Sequence, residues 1–122
     1  LIEGLKDGTL DCLSLHHQPR SIEEKQLEFA QALPGVLTLQ TAFPMLVERV
    51  ITPGHLSVER VVELLTTGVC HTYGLSQVAL NEGVDVTAFS LTGETRIDRA
   101  HLAGRAYNTP LLGQTLRGLV VR

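Results

Sequence analysis

The chain has 122 residues, 43% of them hydrophobic and 19% charged, with 11 Gly, 5 Pro and a formal net charge of −3. That is one domain's length with apolar residues enough for an ordinary core, and it excludes a disordered, collagen-like or disulfide-dense chain. Lys and Arg number 10 against 13 Asp and Glu, which leaves no electrostatic footprint for nucleic acid or an anionic membrane.

Residues 1–6 read as the tail of a helix that Gly8 closes. Residues 9–15, TLDCLSL, form a short apolar run between Gly8 and the polar segment HHQPR, and are expected to be a buried strand. Ser21 and Glu24 stand at the spacing of a capping box, so a short helix is expected there, within a long loop over the strand's end. Pro34-Gly35 punctuates the chain. Residues 36–51 carry Leu39, Ala42, Phe43, Leu46, Val47 and Val50 at helical spacing, and Pro44 inside that run implies a kink or a helix that starts nearby.

Pro53-Gly54 is a turn signal, and Ser57 caps an amphipathic helix over residues 58–67 with Val58, Val61, Val62 and Leu65 on one face. Gly68 leads into another helical stretch that Gly74 ends. The last third changes character. Residues 84–90 alternate like a half-buried strand, 94–97 are expected to pair with them through a turn at Thr92-Gly93, and 115–121 form a final β-run. Two units follow from this pattern: residues 1–75, with one strand, its loop and helices, and residues 76–122, a small β-unit. A single apolar strand needs parallel partners. Their absence upstream, together with the non-Met start at Leu1, suggests a piece of a larger protein.

No apolar run approaches the ~20 residues of a membrane span. Cys12 and Cys70 stand far apart without a Cys-x-x-Cys pair, as expected of two free thiols in a cytoplasmic protein. His55, His71 and His101 are scattered. Nucleophile elbow, P-loop and dinucleotide fingerprint are all missing. The densest polar cluster is Ser14 to Arg20, beyond the apolar run, where sites form in parallel α/β folds. His16 and His17 there are open to two readings, a metal role or a structural, solvent-facing loop, and adjacency in an extended chain argues against one shared metal.

At this loop the sequence resembles the dihydroorotases, members of the amidohydrolase superfamily. The opening residues through SLHHQPRSIEEK are similar to the family's eighth-strand segment, "GTIDVIATDHAPH…EEK". Residues 28–42 resemble "EF…APFGIIGLETA", LLTT at 64–67 matches a family helix, and NTPLLGQTLRGLV at 108–120 is similar to "NTPFLGRTLKGRV". The likeness runs through nearly the whole chain in order. It implies the α/β fold class, with this chain the C-terminal portion of a metal-dependent-hydrolase (β/α)8 barrel plus strands of a small β-subdomain. It implies a zinc-dependent cyclisation of N-carbamoyl-aspartate to dihydroorotate in pyrimidine biosynthesis, with most metal ligands upstream.

Residue by residue, the resemblance also marks losses. The family's metal-binding, proton-shuttling Asp is His16, its substrate-contacting second His is Arg20, and its substrate-holding "FG" is Pro34-Gly35, where a prolyl nitrogen has no hydrogen to donate. A zinc-bound imidazole is neutral and takes up no proton, so both charge neutralisation and base are lost. The expectation is a catalytically silent homologue, a structural or assembly partner in a homo- or hetero-oligomer, with aspartate carbamoyltransferase as the implied associate. No cofactor is expected from this chain's own residues, and zinc only if an upstream barrel supplies ligands. The alternative is an active zinc-dependent cyclic amidohydrolase.

Overall fold

The computed structural model describes residues 1–77, 79, 83, 85–99 and 108–121. Residue 84 of the expected strand and His101 lie outside the described residues.

Helix α1 spans Ile2–Asp7 and ends at Gly8, whose φ of 86° is the left-handed cap conformation that glycine adopts freely. Arg60 then ties this end to the helices that follow: its Nε donates to the Leu5 carbonyl at 2.8 Å and its Nη1 pairs with Glu63 at 2.8 Å. The expected strand over residues 9–15 does not form. The backbone there takes no strand assignment, and the Leu13 amide donates instead to the Leu64 carbonyl at 3.0 Å. Apolar residues alone do not make a strand. Ladder partners do, and the described residues put none alongside residues 9–15; the one isolated parallel bridge, between His17 and Val36, lies just beyond them.

Helix α2, Ile22–Lys25, carries the full capping box: the Ser21 hydroxyl accepts from the Glu24 amide and the Glu24 carboxylate accepts from the Ser21 amide. The helical spacing from residue 36 is overstated, because α3 covers only Ala42–Leu46. Its start obeys Pro44, which sits in the first turn, where a missing N–H breaks no intrahelical bond. One π-helical turn, Val47–Ile51, continues it. Helix α4, Val58–Leu65, is capped by the Ser57 hydroxyl on the Arg60 amide. It stops two residues before the expected 67, since Thr66 leaves helical geometry and starts α5, Thr67–Tyr73, which Gly74 ends at φ 64°. A side chain at Gly68 would overlap the Asp11 carbonyl, so α5 runs close against the extended segment.

The core follows from these faces. Leu5, Leu56, Val61 and Leu64 are buried together, with Leu13, Leu46, Val50, Ile51 and Leu65 packed on them. No helix among the described residues is long and apolar enough to cross a membrane.

Strands β1, Ala88–Arg96, and β2, Thr115–Val121, form a two-stranded antiparallel sheet. The expected hairpin at Thr92-Gly93 is overturned. Strand β1 runs straight through those residues, and the register shifts between Ser90↔Leu119 and Glu94↔Arg117. Residues 91–93 thus bulge opposite Gly118, with the Gly93 amide donating to the Ser90 hydroxyl at 2.9 Å. A local turn signal was outcompeted by pairing with a strand over 20 residues away. The sheet sits on α3 and the π-turn: Phe43 meets Phe89 with ring centroids 4.8 Å apart, and the Arg117 amide donates to Glu48.

Candidate functional site

The structure draws the sequence-marked residues His16, Arg20, Pro34 and Gly35 into one loop cluster with Gln18 at its centre. His16 has φ 44°, a left-handed conformation rare outside glycine but tolerated by Asn, Asp and His. That backbone turn aims its ring back toward Gln18, whose side-chain amide nitrogen lies 2.7 Å from His16 Nε2. With the Gln18 amide in this orientation its nitrogen donates and Nε2 accepts, the pairing that a ring protonated on Nδ1 makes.

His17 takes the opposite arrangement. Its Nδ1 accepts from the Thr38 and Leu39 amides at 3.2 and 3.0 Å, which leaves the proton on Nε2. Nearby, the Thr38 hydroxyl donates to the Leu15 carbonyl at 2.8 Å and the Gln18 amide to the Val36 carbonyl at 3.1 Å. These contacts lash the loop after residue 15 to residues 36–39.

Arg20 closes the loop. Its Nε donates to the Pro34 carbonyl at 3.0 Å and its Nη1 lies 3.3 Å from Glu24, itself set by the capping box. Pro34 has no amide proton to offer but serves as acceptor here. Gly35, at φ 129°, lies so close to Gln18 that a Cβ would come within 2.7 Å of the Gln18 Cβ. The glycine is needed for that approach, and its neighbour's side chain fills the space.

Sequence reasoning missed Asn108 and Gln18. Asn108 Oδ1 accepts from the Arg20 amide at 2.8 Å, its Nδ2 donates to the Gln18 carbonyl at 2.7 Å, and its own carbonyl accepts from the Leu37 amide at 3.1 Å. One residue thereby pins both halves of the loop. The only signal for it lay in the quoted NTPLLG motif, which carried no role. Gln18 was legible as the residue standing where the quoted family motif has Ala, between His17 and Pro19, without any hint of its contact.

The Glu24 carboxyl is held below its ordinary value, chiefly by the hydrogen bond from the Ser21 amide and then by the Arg20 charge, against some desolvation. A carboxylate lowered in the folded state contributes stability above its ordinary value, and that contribution is lost as pH falls through the lowered one. The Ser21 amide resonance is therefore expected to titrate with a midpoint below the ordinary 4.5 of a glutamate. A midpoint at or above 4.5 would show that the capping box does not bind the charged form.

The residues present do not make a zinc set. No three His, Cys, Asp or Glu side chains gather among the described residues. The His17 Nδ1 lone pair is spent on backbone amides and that of His16 Nε2 on Gln18. Cys12 and Cys70 are free thiols, half-buried and not joined to each other.

No family model matches the sequence. Curated relatives do. The chain is 39% identical over 120 residues to a dihydroorotase of Halalkalibacterium halodurans and 34% to one of Ruminiclostridium cellulolyticum, covering 97% of this chain and 28% of each relative. A dihydroorotase of Acetivibrio thermocellus is 33% identical over 122 residues, 29% of its length. The chain thus spans under a third of the relatives it matches. Among solved structures, the L-hydantoinase (dihydropyrimidinase) from Arthrobacter aurescens superposes with a TM-score of 0.81 at 26% identity, over 98% of this chain and 28% of that one.

Proposed function

Since the chain is dihydroorotase-like across almost all of its length, we propose that it is the C-terminal barrel portion and β-subdomain of a dihydroorotase homologue whose acid–base position has been lost. In this reading it serves pyrimidine biosynthesis as a structural or assembly partner rather than as a hydrolase. The observation that carries it is His16: an imidazole stands where a proton-shuttling carboxylate is needed, and its ring is engaged by Gln18. Arg20 supports the same reading, because its guanidinium is turned to Pro34 and Glu24 instead of standing open as a substrate contact. Loss of general acid–base assistance alone typically costs ~10²–10⁴ in rate.

The intact protein supplied with zinc is expected to show no detectable hydrolysis of dihydroorotate and to co-purify with an aspartate carbamoyltransferase. Zinc-dependent turnover, or an unassociated chain in cell extracts, would sink the proposal. The second reading, an active cyclic amidohydrolase, is favoured by the close structural likeness to a hydantoinase. The paired reversion His16→Asp with Arg20→His separates the two. If the lesion lies in this loop, turnover should rise by ~10²–10⁴; unchanged silence would place it elsewhere.

A further inference from the structure

The disagreement between this loop and a metal site goes further than one missing carboxylate. We propose that the loop is a self-closed latch, in which the adjacent histidines are locked in opposite tautomers and both turn their lone pairs to the protein, leaving no ligand atom for a divalent cation. The inference deepens the silent-site reading and rests on it.

Three independent anchors hold Gln18, the latch's central residue. Its amide donates to the Val36 carbonyl, its carbonyl accepts from Asn108 Nδ2, and its side chain packs over Gly35 in the space that a Cβ would otherwise fill. The side-chain amide is thereby delivered to His16 Nε2 at 2.7 Å. The left-handed turn at His16 supplies the other half of the approach. On the far side, two consecutive backbone amides converge on His17 Nδ1, an acceptor position that only the Nε2–H form can fill. A cation at either ring would have to displace these donors, and the nitrogens still facing outward carry protons. A metal ligand must offer a lone pair. Gln18, at a position where the quoted family motif has a side chain too short to reach His16, is what turns a substituted ligand into a closed one.

The test is ring-nitrogen NMR on the intact protein labelled with ¹⁵N-histidine, at about pH 8, where imidazoles are neutral. His16 is expected to be protonated on Nδ1 and His17 on Nε2. Equimolar zinc should leave the His16 signals in place. Gln18→Met, which keeps the packing over Gly35 but removes the donor, should abolish the His16 preference, leave His17 unchanged and allow zinc to shift His16. A protonated His16 Nε2 in the parent protein, a zinc-induced shift there, or an unchanged tautomer in Gln18→Met would each overturn the latch. Dihydroorotate turnover by a protein that keeps the opposite tautomers would defeat the silent-site reading and leave the latch standing. An unlatched His16 in an inactive protein would do the reverse.

Discussion

Replacing Gly118 by alanine is expected to destabilise the protein by about 3 kcal/mol, enough to lower Tm by roughly 10 °C. Two physical effects add at this position. The residue has φ 101°, where a side chain is strained by about 1–2 kcal/mol. A Cβ would also come within 2.8 Å of Val47 Cγ2 and 3.1 Å of the Pro44 Cα, where β2 lies against α3 and the π-turn. Overpacking of a fixed core site typically costs about another 1–3 kcal/mol. The Gly118 carbonyl, moreover, accepts from the Thr95 hydroxyl at 2.6 Å, so a shift to relieve the clash would loosen the sheet at its bulge. Gly113→Ala is the control. It has a similar φ of 84° but nothing within 4 Å, so only the conformational part, about 1 kcal/mol, should appear. Equal losses for the two variants in urea unfolding would show that the sheet does not pack on the helix as described.

Asn108→Ala carries the second large effect, about 2 kcal/mol. The substitution strands the Arg20 amide and the Gln18 carbonyl, both in a part-buried setting, and removes the side-chain half of the loop's tie to residue 108, while the backbone bond from the Leu37 amide remains. Leaving such groups unpaired costs more than the net worth of the bonds, because they keep their desolvation penalty without a partner. Amide exchange at Arg20 should accelerate by roughly 30-fold, the equivalent of that energy, while the Leu10 amide, bonded to the Gly4 carbonyl, stays protected. A variant within roughly 0.5 kcal/mol of the parent, with Arg20 still protected, would remove Asn108 from its place as the loop's clamp. The same variant should weaken the His16 latch, since it frees the carbonyl that holds Gln18 in position.

Features written within a few residues of each other could be read from the chain directly. Gly8 and Gly74 end their helices, Ser21 and Ser57 start theirs, and Pro44 begins a helix rather than breaking one, because caps and proline act on the nearest backbone groups. The likeness to dihydroorotases was legible too, since ordered motifs along nearly the whole chain are a property of sequence, and they brought His16, Arg20, Pro34 and Gly35 forward as one group.

Tertiary structure decided everything that needed a distant partner. Residues 9–15 are apolar enough for a strand yet remain without one, because strands are defined by neighbours and the Leu13 amide finds Leu64 instead. Thr92-Gly93 became a bulge because β2, not residues 84–90, pairs with 94–96. At the site, the sequence could name the substitutions but not their mutual contacts. That the exposed His16 ring meets Gln18, and that Arg20 spans Pro34 and Glu24, is decided by a left-handed turn, a glycine's vacant space and an asparagine 88 residues from the arginine it holds. Hydrogen bonds across such separations are paid for by the packed fold, and no local pattern encodes them.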